Sequence, residues 1–207
     1  MMEAILDRFI VIEGLDGSGT TTQMKLLVEA FDTMHISCHA AFEPTSSPIG
    51  TLVRDVLQKK TVTTPLALAM LFAADREDHL NHPLTGIIER LASGTIVVCD
   101  RYKYSSLAYQ SVECGFDRVQ ELNMFPDPRF VFFIDTPIDD CLKRIDIRSN
   151  ERELFERQEF LAQVRDNYEL IFSRLDEKVV FTRIDGTLDR LDIHKHIVAV
   201  LNSYSIL

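Results

Sequence analysis

The chain has 207 residues, 46% of them apolar, the size and composition of one α/β domain with an ample core, so a single domain over residues 1–207 is expected. Its formal net charge of −10 at pH 7 argues against a protein that coats nucleic acid or an anionic membrane, since either partner demands a basic face. Anionic small molecules remain open where arginines cluster. Cys38, Cys99, Cys114 and Cys141 follow neither a CxxC spacing nor a dense secreted framework, so they read as free thiols in a reducing compartment. Glu3 and Asp7 stand where a signal segment would be basic, and no apolar stretch reaches membrane-spanning length, which predicts a cytoplasmic protein.

The first strand-like run, Phe9 to Glu13, feeds Gly14-Leu15-Asp16-Gly17-Ser18-Gly19-Thr20-Thr21-Thr22 and then a helical pattern with Met24, Leu27, Val28 and Phe31 on one face. Gly14, Gly17 and Gly19 let backbone N–H groups turn inward around an anion, and a helix beginning near Gly19 brings its positive end to the same spot. The stretch predicts a phosphate cradle. Against G-x-x-x-x-G-K-[ST], Gly14, Gly19 and Thr21 match, but Thr20 stands where the lysine belongs. The alternative is a tight βα turn whose glycines serve only helix packing.

Further strand-like runs follow at Ile36 to Phe42, Thr95 to Cys99, Phe130 to Asp135 and Val179 to Asp185. Several are apolar without alternation, as in strands covered on both faces. Helical patterns fill the gaps: Ile49, Leu52, Val53, Val56 and Leu57; Leu84, Ile87, Ile88 and Leu91; Phe160, Val164, Tyr168, Ile171 and Leu175. The prediction is a three-layer, doubly wound α/β fold with a five-stranded parallel sheet, whose ligands gather beyond the carboxyl ends of the strands.

The segments leaving the strands are therefore where a site is expected. After the second strand come Phe42-Glu43-Pro44-Thr45 and then Arg54 one turn into a helix opening at Ser47-Pro48; by itself this reads as a rigid connection and an ordinary helix start. In the third helix Phe72 and Arg76 are four apart and share a face, which suits a flat polar heterocycle and equally suits a core ring beside a solvated charge. Asp100, closing a buried strand beside the glycine loop, is placed to hold magnesium, and Arg101 to clamp an acceptor phosphate; an ion pair between the two is the structural alternative. Lys143, Arg144, Arg148, Arg152 and Arg157 interleave with acidic residues, as on a solvated face or in a lid around residues 145–157 that closes arginines over phosphates. The histidines, His79 and His82 included, lack metal-ligand spacing and are assigned no metal.

Taken together, GLDGSGTTTQ, Glu43-Pro44, LFAADR at Leu71 to Arg76 and DRYKYSSLAYQ at Asp100 to Gln110 resemble thymidylate kinase. The likeness continues through Phe125-Pro126-Asp127, FIDTP at Phe133 to Pro137 and FLAQVRDNYELI from Phe160, and so covers nearly the whole chain. The resemblance implies a P-loop NTPase fold, transfer of the ATP γ-phosphoryl group to dTMP with Mg2+ as cofactor, and a homodimer. It implies that Gly14 to Thr22 cradle ATP phosphates and that Thr21 and Asp100 organise the metal. Phe72 would stack on thymine, Arg76 donate to the base O4, Ser106 read the base edge with Gln110 beside it, and Tyr109 crowd a ribose 2′-hydroxyl from beneath the deoxyribose. Asp16 would accept the sugar 3′-hydroxyl, Glu43 and Pro44 line the acceptor pocket, and Arg101 hold the acceptor phosphate with help from Arg54. Gly17 after Asp16 assigns the catalytic arginine to the lid, with Arg148 and Arg152 as candidates. Thr20 and Phe42, the latter where many bacterial members carry arginine, depart from the pattern. The rival readings are a kinase for another (deoxy)nucleoside or its monophosphate, and a nucleotide-binding protein that lost catalysis with its lysine.

Overall fold

Five parallel strands hydrogen-bond in the order β2-β3-β1-β4-β5, with β1 (Ile5–Gly14) at the centre, β3 (Ile96–Asp100) and β2 (Cys38–Phe42) on one side and β4 (Asp127–Asp135) and β5 (Val180–Asp185) on the other. The computed structural model describes residues 5–148 and 158–207. Ten helices of the described residues join the strands: α1 (Thr20–Thr33), α2 (Pro48–Leu57), α3 (Pro65–Asn81), α4 (Ile87–Ala92), α5 (Lys103–Tyr109), α6 (Ser111–Cys114), α7 (Phe116–Leu122), α8 (Ile138–Arg148), α9 (Gln158–Phe172) and α10 (Arg190–Ser203). None of them is long and apolar enough to cross a membrane.

The apolar strands are covered on both faces, as their lack of alternation requires. Ile10 and Ile12 of β1 pack with Phe130, Phe132 and Ile134 of β4 under α1 and α10. Phe9 and Val11 face the opposite way, into a cluster with Val97, Cys99 and Tyr102 under α3 and α4. Val131 and Phe133 continue that face beneath α5 and α9.

Observed bounds depart from the sequence pattern where local chemistry intervenes. Leu84 is 81% exposed and precedes α4, because the turn from His82 closes so tightly that a Cβ on Gly86 would stand 2.6 Å from the His82 carbonyl oxygen. Leu175 falls beyond the end of α9, and the strand that begins the chain is longer than its β-branched run, pairing with β4 in two stretches separated by an irregularity between Leu6 and Ile10. Pairing of Ile12 with Asp100 brings the carboxyl ends of β1 and β3 side by side.

At the loop that leaves β1, Gly17 has φ 85° and Gly19 φ 104°. A Cβ at Gly17 would meet the Cys141 carbonyl oxygen of α8 at 2.5 Å, whereas one at Gly19 has nothing within 4 Å. Left-handed backbone alone costs an L-residue roughly 1–2 kcal/mol, or about 2–8 °C in a chain of this size. Gly19→Ala should therefore lower Tm by about that much and Gly17→Ala by at least twice as much, a contrast that differential scanning calorimetry reads directly.

Candidate active site

The glycine loop is held from outside by its own carbonyls. Arg144 of α8 donates through one guanidinium nitrogen to the Gly17 and Ser18 carbonyl oxygens at 3.4 and 3.2 Å and through the other to the Gly186 oxygen at 3.0 Å. Thr136 Oγ adds a 3.4 Å bond to the Ser18 oxygen. Engaging carbonyls in this way suits an anion cradle, since a carbonyl dipole turned on a phosphate would repel it. A Cβ on Gly14 would lie 2.3 Å from Ser18 Oγ, so the loop folds back over the end of its own strand. Thr20 opens α1 as a buried residue, and Lys25, one turn on, is exposed.

Thr21 Oγ donates to Asp100 Oδ2, linking the start of α1 to the end of β3. Asp100 is 8% exposed, and its Oδ1 is buried without a hydrogen-bond partner among the described residues. A buried carboxylate oxygen left unmet beside a threonine hydroxyl is a hard-oxygen donor set that fits Mg2+. Among the described residues no group of three or more His, Cys, Asp or Glu side chains gathers to hold a metal. A cation here would complete its shell with water and phosphate, as Mg2+ commonly does.

Beside this corner lies a cleft lined by Asp16, Glu43, Pro44, Phe72, Arg76, Arg101, Ser106, Tyr109 and Gln110, with Leu57, Tyr102 and Ser105. The acceptor-pocket candidates thus come together, with Arg54 standing behind them. Its guanidinium donates to the Pro44 and Thr45 carbonyl oxygens at 2.8 and 2.5 Å and so buttresses the Glu43-Pro44 turn, whose peptide bond is cis.

Arg76 is 1% exposed, which removes the solvated-face alternative. Its Nε and one terminal nitrogen meet Glu43 Oε2 at 2.8 and 2.7 Å, the same nitrogen donates to Ser106 Oγ at 2.9 Å, and the other donates to Asn123 Oδ1. Tyr102 and Phe125 flank the guanidinium at 5.4 and 5.6 Å. A charge so deeply buried persists only with its donors satisfied and a counter-ion beside it.

Arg101 pairs with Asp16, not with Asp100 as the sequence had also allowed: the guanidinium reaches Asp16 Oδ1 at 2.7 Å, the Gly14 oxygen at 2.8 Å and Ser105 Oγ at 3.0 Å. Its backbone is left-handed, φ 70°, a strain of roughly 1–2 kcal/mol that the surrounding bonds hold in place. The Tyr109 ring lies under the guanidinium at 5.5 Å, and its hydroxyl accepts the Asp16 N–H at 2.9 Å. Burial pushes the Tyr109 phenol well above the ordinary tyrosine range.

Beneath Arg101 sits Glu13, which sequence reasoning took only as a strand end. It is fully buried and accepts from Ser105 Oγ at 2.6 Å, Tyr168 Oη at 2.8 Å and the Tyr102 N–H at 2.9 Å. A lone carboxylate closing the apolar run Phe9 to Ile12 was the available signal for such a hub. Arg144 and Asn123 carried no signal, since their partners are backbone carbonyls or side chains distant in sequence. Arg152 lies outside the described residues, and of Arg148 only the backbone, as the last residue of α8, is described.

A family model for thymidylate kinase matches residues 12–197. The chain belongs to the thymidylate kinase family. It is 41% identical over 204 residues, 97% of both chains, to a protein of Treponema pallidum (strain Nichols) whose curated name assigns it to the thymidylate kinases. It is also 38% identical to proteins named probable thymidylate kinase from Methanocaldococcus jannaschii and Pyrococcus horikoshii, covering 94% and 93% of this chain and 96% and 95% of theirs. Thymidylate kinases act on nucleotides and typically need a divalent metal, in keeping with the Thr21–Asp100 oxygens. Of the two departures from the thymidylate kinase pattern, Phe42 is exposed and lines a neighbouring cleft with His39 and His79, away from the acceptor pocket.

Burial pushes the Glu13 carboxyl above the ordinary glutamate range, against the charge of Arg101 and the bonds from Ser105, Tyr102 and Tyr168. A folded pKa raised above the unfolded value, about 4.3, makes the native state bind the extra proton, so this group's contribution is full below that value and is lost as pH rises through the folded one. Glu13→Gln cannot lose that contribution. Its urea-unfolding free energy relative to wild type should rise between pH 4.5 and pH 7; a difference flat in pH would refute the raised carboxyl.

Proposed function

We propose that the chain transfers the γ-phosphoryl group of ATP to dTMP, giving ADP and dTDP. The observation that carries this reading is Arg76, fixed by Glu43, Ser106 and Asn123 in the wall of a cleft that also contains Arg101 and Asp16, beside the glycine loop. A fully desolvated, immobilised guanidinium is what a site needs to recognise a carbonyl on a planar base. Phe72 stacks on thymine, Arg76 donates to its O4, Ser106 and Gln110 meet the base edge, and Tyr109 underlies the deoxyribose and leaves no room for a 2′-hydroxyl. Asp16 accepts the 3′-hydroxyl. Arg101 holds the acceptor phosphate, and Arg54 contributes by fixing the Glu43-Pro44 turn.

On the donor side Gly14 to Thr22 cradle the ATP phosphates, and Thr21 and Asp100 hold Mg2+, which neutralises phosphate charge when bound. An acceptor phosphate oxygen forms the new bond to the γ-phosphorus as the bond to the ADP oxygen breaks in line, so catalysis rests on positioning and on cations around the equatorial oxygens. With Thr20 in place of lysine, that charge falls to arginines of a lid around residues 145–157, Arg148 and Arg152. The acidic net charge of −10 supports small-molecule rather than nucleic-acid or membrane partners, and the unpaired cysteines support a cytoplasmic protein. Membership of the thymidylate kinase family is what supports the homodimer.

Thr20 itself favours the second reading, a nucleotide-binding protein without turnover. Incubation with ATP, Mg2+ and dTMP separates the two: dTDP should form, and dTMP binding without dTDP would establish the second. A preference for thymidine over dTMP would reassign the substrate. The double variant Arg148→Ala/Arg152→Ala should lower kcat by ~10³-fold, the scale measured for arginines that stabilise this type of transition state. A kcat within a fewfold of wild type would sink the lid assignment.

A further inference from the structure

A second, wider cleft opens on the far side of Glu43, lined by His39, Phe42, Ser47, His79, His82 and Arg90 among others. His79 stands between the two clefts. It lies on α3 three residues after Arg76 and so on the same side of the helix, its side chain is 13% exposed, and its Nδ1 is 3.1 Å from Glu43 Oε1. The other Glu43 oxygen, Oε2, accepts the Arg76 Nε–H bond and pairs with one of its terminal nitrogens. A carboxylate oxygen only accepts, so the His79 Nδ1 must carry the proton and Nε2 is left for the second cleft.

This division of one carboxylate between two partners has a mechanical consequence. With Oε2 alone engaged, the carboxylate could turn about its terminal torsion, which is broad and soft, and the Nε end of Arg76 would lose its fixed anchor while Ser106 and Asn123 hold only the terminal nitrogens. With Oε1 also bonded, the carboxylate plane is fixed, and with it the direction in which the guanidinium faces the cleft. We propose that His79 is a positioning residue for recognition of the acceptor base. Its imidazole N–H locks Glu43, Glu43 locks Arg76, and Arg76 then distinguishes a pyrimidine with a 4-oxo acceptor from one with a 4-amino donor. The inference rests on the reading of the cleft as the dTMP site, and nothing in it requires His79 to touch the nucleotide.

The test compares steady-state kinetics of wild type, His79→Phe, His79→Asn and Phe72→Ala with dTMP and with dCMP. His79→Phe should raise KM for dTMP about tenfold, the scale of one hydrogen bond to a charged group, leave kcat within twofold, and narrow the preference for dTMP over dCMP by a similar factor. The asparagine amide can donate from the place of Nδ1, so His79→Asn should restore both the KM and the preference. If His79→Phe proves too unstable to assay, His79→Ala replaces it with the same expectations. Phe72→Ala reports on the site itself: should it leave KM for dTMP unchanged, the acceptor-site reading fails and this inference with it. Should it raise KM while the His79 variants keep wild-type KM and preference, or should His79→Asn fail to rescue, the inference alone is overturned.

Discussion

Glu13 closes β1 as a carboxylate with no solvent exposure, and its bonds to Ser105, Tyr168 and the Tyr102 backbone join the central strand to the loop after β3 and to α9. Leaving such a group unpaired would cost several kcal/mol, so these partners are constrained to stay. Ser105 passes the constraint on: the hydroxyl that donates to Glu13 also accepts from Arg101. Arg101 in turn bonds the Gly14 oxygen and Asp16. The carboxyl edge of the sheet is thus one polar network suspended from a single buried carboxyl group, and the glycine loop and the neighbouring cleft are positioned against each other through it.

The parts legible in the sequence were those set by short-range pattern or by fixed spacing. Apolar runs located the three central strands, because a strand covered on both faces has no polar side to write, whereas the edge strands β2 and β5, partly exposed and interrupted by His39 and by Arg183, were marked by shorter apolar stretches. The glycines of the loop and the i, i+4 relation of Phe72 and Arg76 were visible for the same reason. The short helices α5, α6 and α7, of seven, four and seven residues, span too few turns to establish a periodicity. Arg54 and Arg144 could be seen as cations but not as buttresses, since a bond to a backbone carbonyl leaves no complementary residue in the sequence. The local sequence around His79 offers no acidic partner at metal spacing; its partner, Glu43, lies 36 positions away and reaches it only through the tertiary fold.

The absence of lysine at Thr20 changes where charge can come from without changing the loop that would have used it. Gly17 and Gly19 keep their left-handed backbone, Gly14 its close approach to Ser18, and Arg144 keeps the loop carbonyls occupied from the α8 side. The loop is therefore built as a binding surface independent of any side-chain cation inside it. In the proposed reaction, charge supplied from a separate segment would make binding of the donor and acceleration of the transfer distinct properties of the chain, open to change one at a time.

Asp100 and Arg101 are consecutive, yet the first turns to Thr21 and the second to Asp16, and the left-handed φ of 70° at Arg101 is what splits them. In the proposed reaction one residue serves the donor side and the next serves the acceptor side. The separation of the two substrates is then ruled by a single peptide unit, of fixed length and planar geometry, instead of by the docking of two bodies.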